Sequence, residues 1–247
     1  PSTQQVVQRS NLPTPLSQTS AVYFPPNDQI YIIGGINSTA NNGTGFNNIT
    51  VYNPATNSTS LVAELPSGRV DTSSVYCPEN NKIYILGGNL LHGNHFTNEI
   101  IEYDPASGNV ITKTEKLPFG LAYSPAVWNP VNKTILLFGG LKGLGSNFSE
   151  NIIEYNPITG SVQVKDTVLP SARAPRSAFW DTFTNTAIIF GGFHGYGNLD
   201  NDLEILEYHT NPPEVTKKTT VTYTGEEGSS AALWNGTNKG YLIGGDL

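Results

Sequence analysis

The chain contains no methionine and a single cysteine, Cys77, among 247 residues. One cysteine excludes an intrachain disulfide framework, and its default reading is a small buried apolar residue. Charged residues are scarce at 13%. The 13 Lys and Arg are scattered and the net charge is −7, so the clustered basic surface that phosphate backbones require is missing and nucleic acid is not an expected partner. No apolar run is long enough to span a bilayer, so no membrane insertion is expected, and no segment sustains a 3.6-residue period. Nucleophile elbows, HExxH and P-loop patterns are also lacking. Catalysis therefore has little support, and no cofactor or metal is expected.

What the chain has is turn-formers and repetition. Gly (25), Pro (17), Asn, Ser and Thr alternate with short apolar runs, which suggests many short strands rather than amphipathic helices. Gly-Gly pairs begin at Gly34, Gly87, Gly139, Gly191 and Gly244, at intervals of 53, 52, 52 and 53. Other markers keep the register. An aromatic closes an apolar stretch at Tyr23, Tyr76, Trp128, Trp180 and Trp234, and these are read as core. A Tyr recurs at Tyr52, Tyr103, Tyr155 and Tyr208. Leu-Pro recurs at Leu12-Pro13, Leu65-Pro66, Leu117-Pro118 and Leu169-Pro170. An internal period near 50 residues indicates a propeller or another array.

Each unit reads as four strands, a to d. In the second unit these are "TSSVYCP" (72–78), "KIYILGG" (82–88), "NEIIEYDP" (98–105) and "VITKTEKLP" (110–118). Strand b is continuously apolar, as when both faces are buried; strand c alternates, and is expected to be the more exposed. A strand ending in Gly-Gly, a long loop, a Tyr-Asp/Asn-Pro segment and a last strand ending in Leu-Pro together resemble the kelch repeat, over essentially the whole chain. The Trp that kelch blades usually carry in strand d is absent from "STSLVAELP" and "SVQVKDTVLP", so the packing between blades is expected to differ. Galactose oxidase also carries a kelch propeller, but its copper site needs Cys, Tyr and His ligands, and Cys77 occupies a repeat core position. The resemblance implies the fold alone.

The resemblance implies an all-β propeller of about five four-stranded blades in one domain, 1–247. The units are 14–66, 67–118, 119–170, 171–224 and 225–247. The last is incomplete and takes residues 3–13 as its outer strand. Its strand c is missing, which leads to the expectation of a natural chain continuing past Leu247, or of a partner supplying the strand. Pro1 at the start is compatible with a removed leader.

Because strands alternate direction, the b–c and d–a loops emerge on one face. The a–b turns are short and the b–c loops long (36–47, 89–97, 141–150, 193–201), so function is expected on the b–c/d–a face. Candidate ligand-binding residues there are Arg69, His92, His95, Phe148, Arg173, Arg176, His194 and Tyr196, with Phe96, Lys142, Phe119, Phe193 and Asp200 nearby. Aromatics with Arg, Asn and Asp suit a glycan or peptide: rings stack while polar groups orient. Most of the weight on the histidines falls on ordinary loop residues, and Arg69 and Arg176 can equally be structural. Seven N-x-S/T sequons, at Asn37, Asn42, Asn48, Asn57, Asn132, Asn147 and Asn235, fall between strand-like runs. They favour a secreted or cell-surface glycoprotein. The leading expectation is a secreted kelch-propeller module binding a glycan or protein. The alternatives are a structural glycoprotein assembling through the open last blade and, less favoured, an enzyme on extracellular polysaccharide.

Overall fold

A computed structural model describes residues 7–37, 45–91, 95–143, 147–192, 202–222, 230–234 and 239–243. It contains four antiparallel four-stranded sheets, each a blade. Blade 1 comprises β1 (Ser20–Phe24), β2 (Gln29–Ile33), β3 (Asn48–Asn53) and β4 (Ser58–Glu64). Blade 2 comprises β5 (Ser73–Cys77), β6 (Lys82–Leu86), β7 (Glu99–Tyr103) and β8 (Val110–Lys116). Blade 3 comprises β9 (Ala126–Asn129), β10 (Thr134–Phe138), β11 (Asn151–Tyr155) and β12 (Val162–Val168). Blade 4 comprises β13 (Ser177–Asp181), β14 (Thr186–Phe190), β15 (Asp202–Thr210) and β16 (Pro213–Thr222). A two-stranded hairpin follows, β17 (Ser230–Trp234) with β18 (Lys239–Ile243). No described helix is long and apolar enough to cross a membrane.

The expected five blades closed by the N-terminal segment are therefore corrected to four complete blades. Among the described residues, the fifth Gly-Gly unit contributes a hairpin, not a blade. Residues 7–13 form no strand. The Ser10 amide donates to Asn57 Oδ1 at 2.8 Å, and the Asn11 carbonyl accepts from Thr59 Oγ1 at 3.1 Å. Side chains of blade 1 thus occupy backbone groups that a ladder would need. Pro13 and Pro15 remove two further donors.

The first strands of the sheets touch one another in chain order, β1 to β5, β5 to β9, β9 to β13 and β13 to β17, which makes them the inner strands. Strand exposure follows from that arrangement and corrects a second expectation. Strand c is buried, with Ile100, Ile101, Ile152 and Ile153 essentially inaccessible; strand d, as in β8 and β12, is the exposed one. Three blades pair a strand-c glutamate with a strand-d lysine in the same register: Glu102–Lys113, Glu154–Lys165 and Glu207–Lys218.

Three cores lie between successive blades. Tyr31 and Ile33 of blade 1 pack with Ile83 and Tyr103 of blade 2. Tyr84 and Leu86 of blade 2 pack with Ile135 and Tyr155 of blade 3. Phe138 of blade 3 packs with Ile189 and Tyr208 of blade 4. A T-shaped aromatic pair crosses each: Tyr31–Tyr103 (5.7 Å), Tyr84–Tyr155 (5.7 Å) and Phe138–Tyr208 (5.8 Å). These edge-to-face pairs join strand b of one blade to strand c of the next. Burial pushes Tyr103 and Tyr208 up to about 12, and Tyr84 and Tyr155 well above the ordinary value of 10.0.

The Gly-Gly pairs are demanded by close backbone approach. The chain entering each blade passes against the end of strand b of the blade before. A Cβ on Gly34 would stand 2.4 Å from the Arg69 carbonyl, and one on Gly87 2.1 Å from that of Leu121. Both glycines have φ of +63°. Their partners Gly35 and Gly88 donate to those same carbonyls at 2.9 and 2.8 Å.

Candidate functional site

The b–c loops and the entries to strand a lie on one side, tied by backbone bridges Ser17–Ile36, Val70–Asn89 and Ala122–Leu141. Equivalent residues on this face can be compared blade by blade.

At the entry to each blade the chain places Leu16, Arg69, Leu121 and Arg173, spaced by 53, 52 and 52. Strand c begins with Asn48, Glu99 and Asn151 at matching positions, and Glu204 occupies that position in β15, because each accepts from the first glycine of its blade's pair. The two sets alternate together: Leu with Asn, Arg with Glu, Leu with Asn, Arg with Glu. Arg69, fully buried, bonds Glu99 at 2.9 Å, the Gly87 carbonyl at 3.3 Å and Ser67 Oγ at 2.9 Å. Desolvation lowers its pKa, and the hydrogen bond to Glu99 opposes that shift. Arg173, 3% exposed, bonds Glu204 at 2.7 Å and Ser171 Oγ at 2.6 Å. Glu204 is held below the ordinary carboxylate range by its bond to Lys217 and then by Arg173. Both guanidinia are thus engaged by the loop that carries them and by the next blade's strand c. They hold that loop in place.

Nearer the axis lies a second set. Gln18, Asp71 and Tyr123 follow the entry residues by two, and all have positive φ, 56°, 53° and 52°. These are not hairpin-turn residues, unlike Asp28, Asn81, Lys133 and Asn185, whose positive φ closes a–b turns. The Asp71 amide donates to the Gln18 carbonyl, and the Tyr123 amide to that of Asp71, both at 3.1 Å. Gln18 Nε2 reaches Tyr123 Oη at 3.2 Å, from blade 1 to blade 3. The next position in the series is Pro175, which has no amide proton to continue the chain. Arg176 follows it, half-buried, and its amide donates to the Phe190 carbonyl.

Between the loops of blades 1 and 2 lies a cleft of about 230 Å³, lined by Gly45, Ser67, Gly68, Leu90 and His95. His95 is exposed, and its carbonyl accepts from Leu90. At the blade 2/3 boundary the corresponding residues are Phe96, Phe119, Gly120, Lys142 and Asn147, matched by their hydrogen bonds. There Phe119 packs onto the core and Lys142 Nζ stands 5.3 Å from its ring centroid. Phe148 is half-buried and bridges Leu141. A larger cleft, about 470 Å³, opens on the opposite face, among Phe24, Pro26, Asn80, Lys82 and Asp104. Its Lys82–Asp104 pair holds Asp104 at about 2.

Of the candidates named from sequence, His92, His194 and Tyr196 lie outside the described residues, as do Phe193, Asp200, Asn42 and Asn235. The structure brings His95 to the first cleft, sets Arg69 and Arg173 beneath the loops, and leaves Phe148 at a different boundary. Among the sequons, Asn57, Asn132 and Asn147 are exposed, while Asn37 and Asn48 are half-buried. Sequence reasoning missed Gln18, Asp71 and Tyr123, the glutamates Glu99 and Glu204, and the Gly45–Ser67 opening. The Arg–Glu alternation was available as a signal. It needed the entry of each unit aligned with strand c of the same unit.

No protein-family model matches the chain, and no curated protein matches it. Among 314 matching chains of solved structures is one titled "Structure of YjhT", with a TM-score of 0.76, 18% identity, and coverage of 96% of this chain and 79% of that one. At that identity the likeness concerns the fold.

Proposed function

We propose that this chain is a kelch-type propeller binding module that recognises a glycan or a protein through the face formed by its b–c and d–a loops. One observation carries the reading. Three blades hold a non-glycine residue in the left-handed region at the same entry point, outside any hairpin turn. For Gln and Tyr such a backbone costs about 1–3 kcal/mol, and strain of this kind concentrates at ligand sites. The three are linked around the axis by backbone hydrogen bonds, and the Gln18 amide and Tyr123 phenol meet there. That mixture suits oriented hydrogen bonding to hydroxyl or amide groups.

Secretion belongs to the same proposal. Exposed sequons at Asn57, Asn132 and Asn147 support it, since turns and loops are where such glycans are carried. Asn147 sits on the proposed face, so a glycan there favours a small ligand or a peptide over a broad protein surface.

The test is binding on glycan and peptide arrays, comparing the full chain with Tyr123→Ala on the loop face and Phe183→Ser on the other. Phe183 is 80% exposed in the a–b turn of blade 4. The reading predicts retention lost with Tyr123→Ala and kept with Phe183→Ser. The reverse pattern would refute it.

A further inference from the structure

The cleft at the first boundary exists because two side chains are missing relative to the second. Gly45 stands where blade 2 has Phe96, and Ser67 where it has Phe119. The backbone framework is shared. Gly68 lies so close to Gly45 that a Cβ would clash with its carbonyl, just as Gly120 lies against Phe96. The loop carrying Ser67 is fixed by Arg69, which bonds both the Ser67 carbonyl and its hydroxyl. At one boundary the position is taken by the chain's own Phe119 ring, packed on the core, and at the other no ring stands there among the described residues.

We propose that the blade 1/2 cleft seats one neutral aromatic ring supplied by the ligand, in the place that Phe119 takes at the next boundary. This rests on the loop-face reading above and names the chemistry that face selects. The size agrees: a cavity of about 150 Å³ suffices to take up benzene, and this cleft measures about 230 Å³. Leu90 holds the position of Lys142, so the seat is flanked by an aliphatic side chain instead of a cation. Gly45 and Gly68 present bare backbone, which lets a flat ring approach closely. Ser67 and His95 stand in the lining, placed to bond a polar substituent such as a phenol hydroxyl. The ligand is thus a peptide or small molecule with an exposed Phe- or Tyr-like group.

The experiment is an amide-resolved NMR titration of the full chain with N-acetyl-phenylalanine amide, with methyl glucoside as the second probe. Saturable shifts at Gly45, Gly68, Leu90 and His95 are expected for the aromatic probe. Ser67→Phe, which copies the filled boundary, weakens that binding at least about tenfold, because the seat is taken. Leu90→Lys, which copies Lys142, tightens it by about two- to fivefold through a cation–π contact. This second variant keeps the test decisive if Ser67→Phe does not fold. Absent shifts, unchanged affinity in both variants, or methyl glucoside shifting the same amides at equal affinity would overturn the proposal. Failure here, with loop-face protection still produced by an array ligand, would remove the ring seat and leave the broader function standing.

Discussion

The boundary between blades 1 and 2 and the boundary between blades 2 and 3 are built on one backbone and finished differently. The first couples buried Arg69, paired with half-buried Glu99, to an open cleft floored by Gly45 and Gly68. The second replaces the pair with Leu121 and Asn151 and fills the cleft with Phe119. A propeller can afford either finish, because the inter-blade tyrosine contacts are common to both. The packing common to all blades lies in the shared seam, and the proposed ring seat lies in the positions that differ.

The shared seam gives the largest effect. Tyr103 and Tyr208, at about 12, ionise near 10.0 once unfolded. A raised folded pKa favours the native state fully below the unfolded value and loses that contribution as pH rises through the folded one. Stability should hold up to about pH 10 and collapse by about 12. The check is an alkaline titration followed by circular dichroism and tyrosinate absorbance. Tyrosinate appearing well before unfolding would show that the seam is not what protects the rings.

The distinct finishes come next. Glu99→Ala leaves the buried Arg69 guanidinium without its carboxylate, and should cost about 1–3 kcal/mol in denaturant unfolding. Asn151→Ala, the same position at the other boundary, should cost less than about 1 kcal/mol. Phe119→Ser empties the filled seat, and should cost about 1–2 kcal/mol while creating a second, weaker site for the aromatic probe. Smallest of all is the exchange of one finish for the other. Arg69→Leu with Glu99→Asn should change stability by about 1 kcal/mol or less, since the ion pair is removed as a whole and Leu121 with Asn151 fills the same positions at the next boundary. It should loosen the Ser67 loop, and so weaken probe binding without altering the fold.

Much of this fold was legible in the sequence for a simple reason. Gly-Gly, Tyr and Leu-Pro recur because each blade presents the same backbone approach, the same inter-blade ring and the same outer turn. Those markers count units, however, and not paired strands. Gly244 announces a fifth unit whose described residues form a hairpin, and the Leu12-Pro13 marker labels a segment whose Ser10 and Asn11 are bonded by side chains instead of a ladder. Strand c, which carries Glu99 and Glu102 among its apolar residues, is expected from its alternation to be the more exposed strand. Both glutamates instead reach partners on neighbouring strands or loops, Arg69 and Lys113, which lets that strand be buried. The site was less legible. Only Asp71 among the three left-handed residues belongs to a type that tolerates that conformation, so Gln18 and Tyr123 gave no warning. The open cleft is a difference between repeats, Ser67 against Phe119, and the search for recurrence passes over positions that fail to recur.

The most direct test of the account is hydrogen exchange of the full chain with and without an array-selected ligand. The two faces each carry a cleft, so the protected amides decide between them. Binding through the loop face predicts protection at 45, 67–69, 90 and 95, with 26–28, 79–82 and 104–106 unchanged. Protection confined to the turns around Asn27, Asn80 and Ala106 would place the ligand in the larger cleft on the opposite face, and would contradict the account.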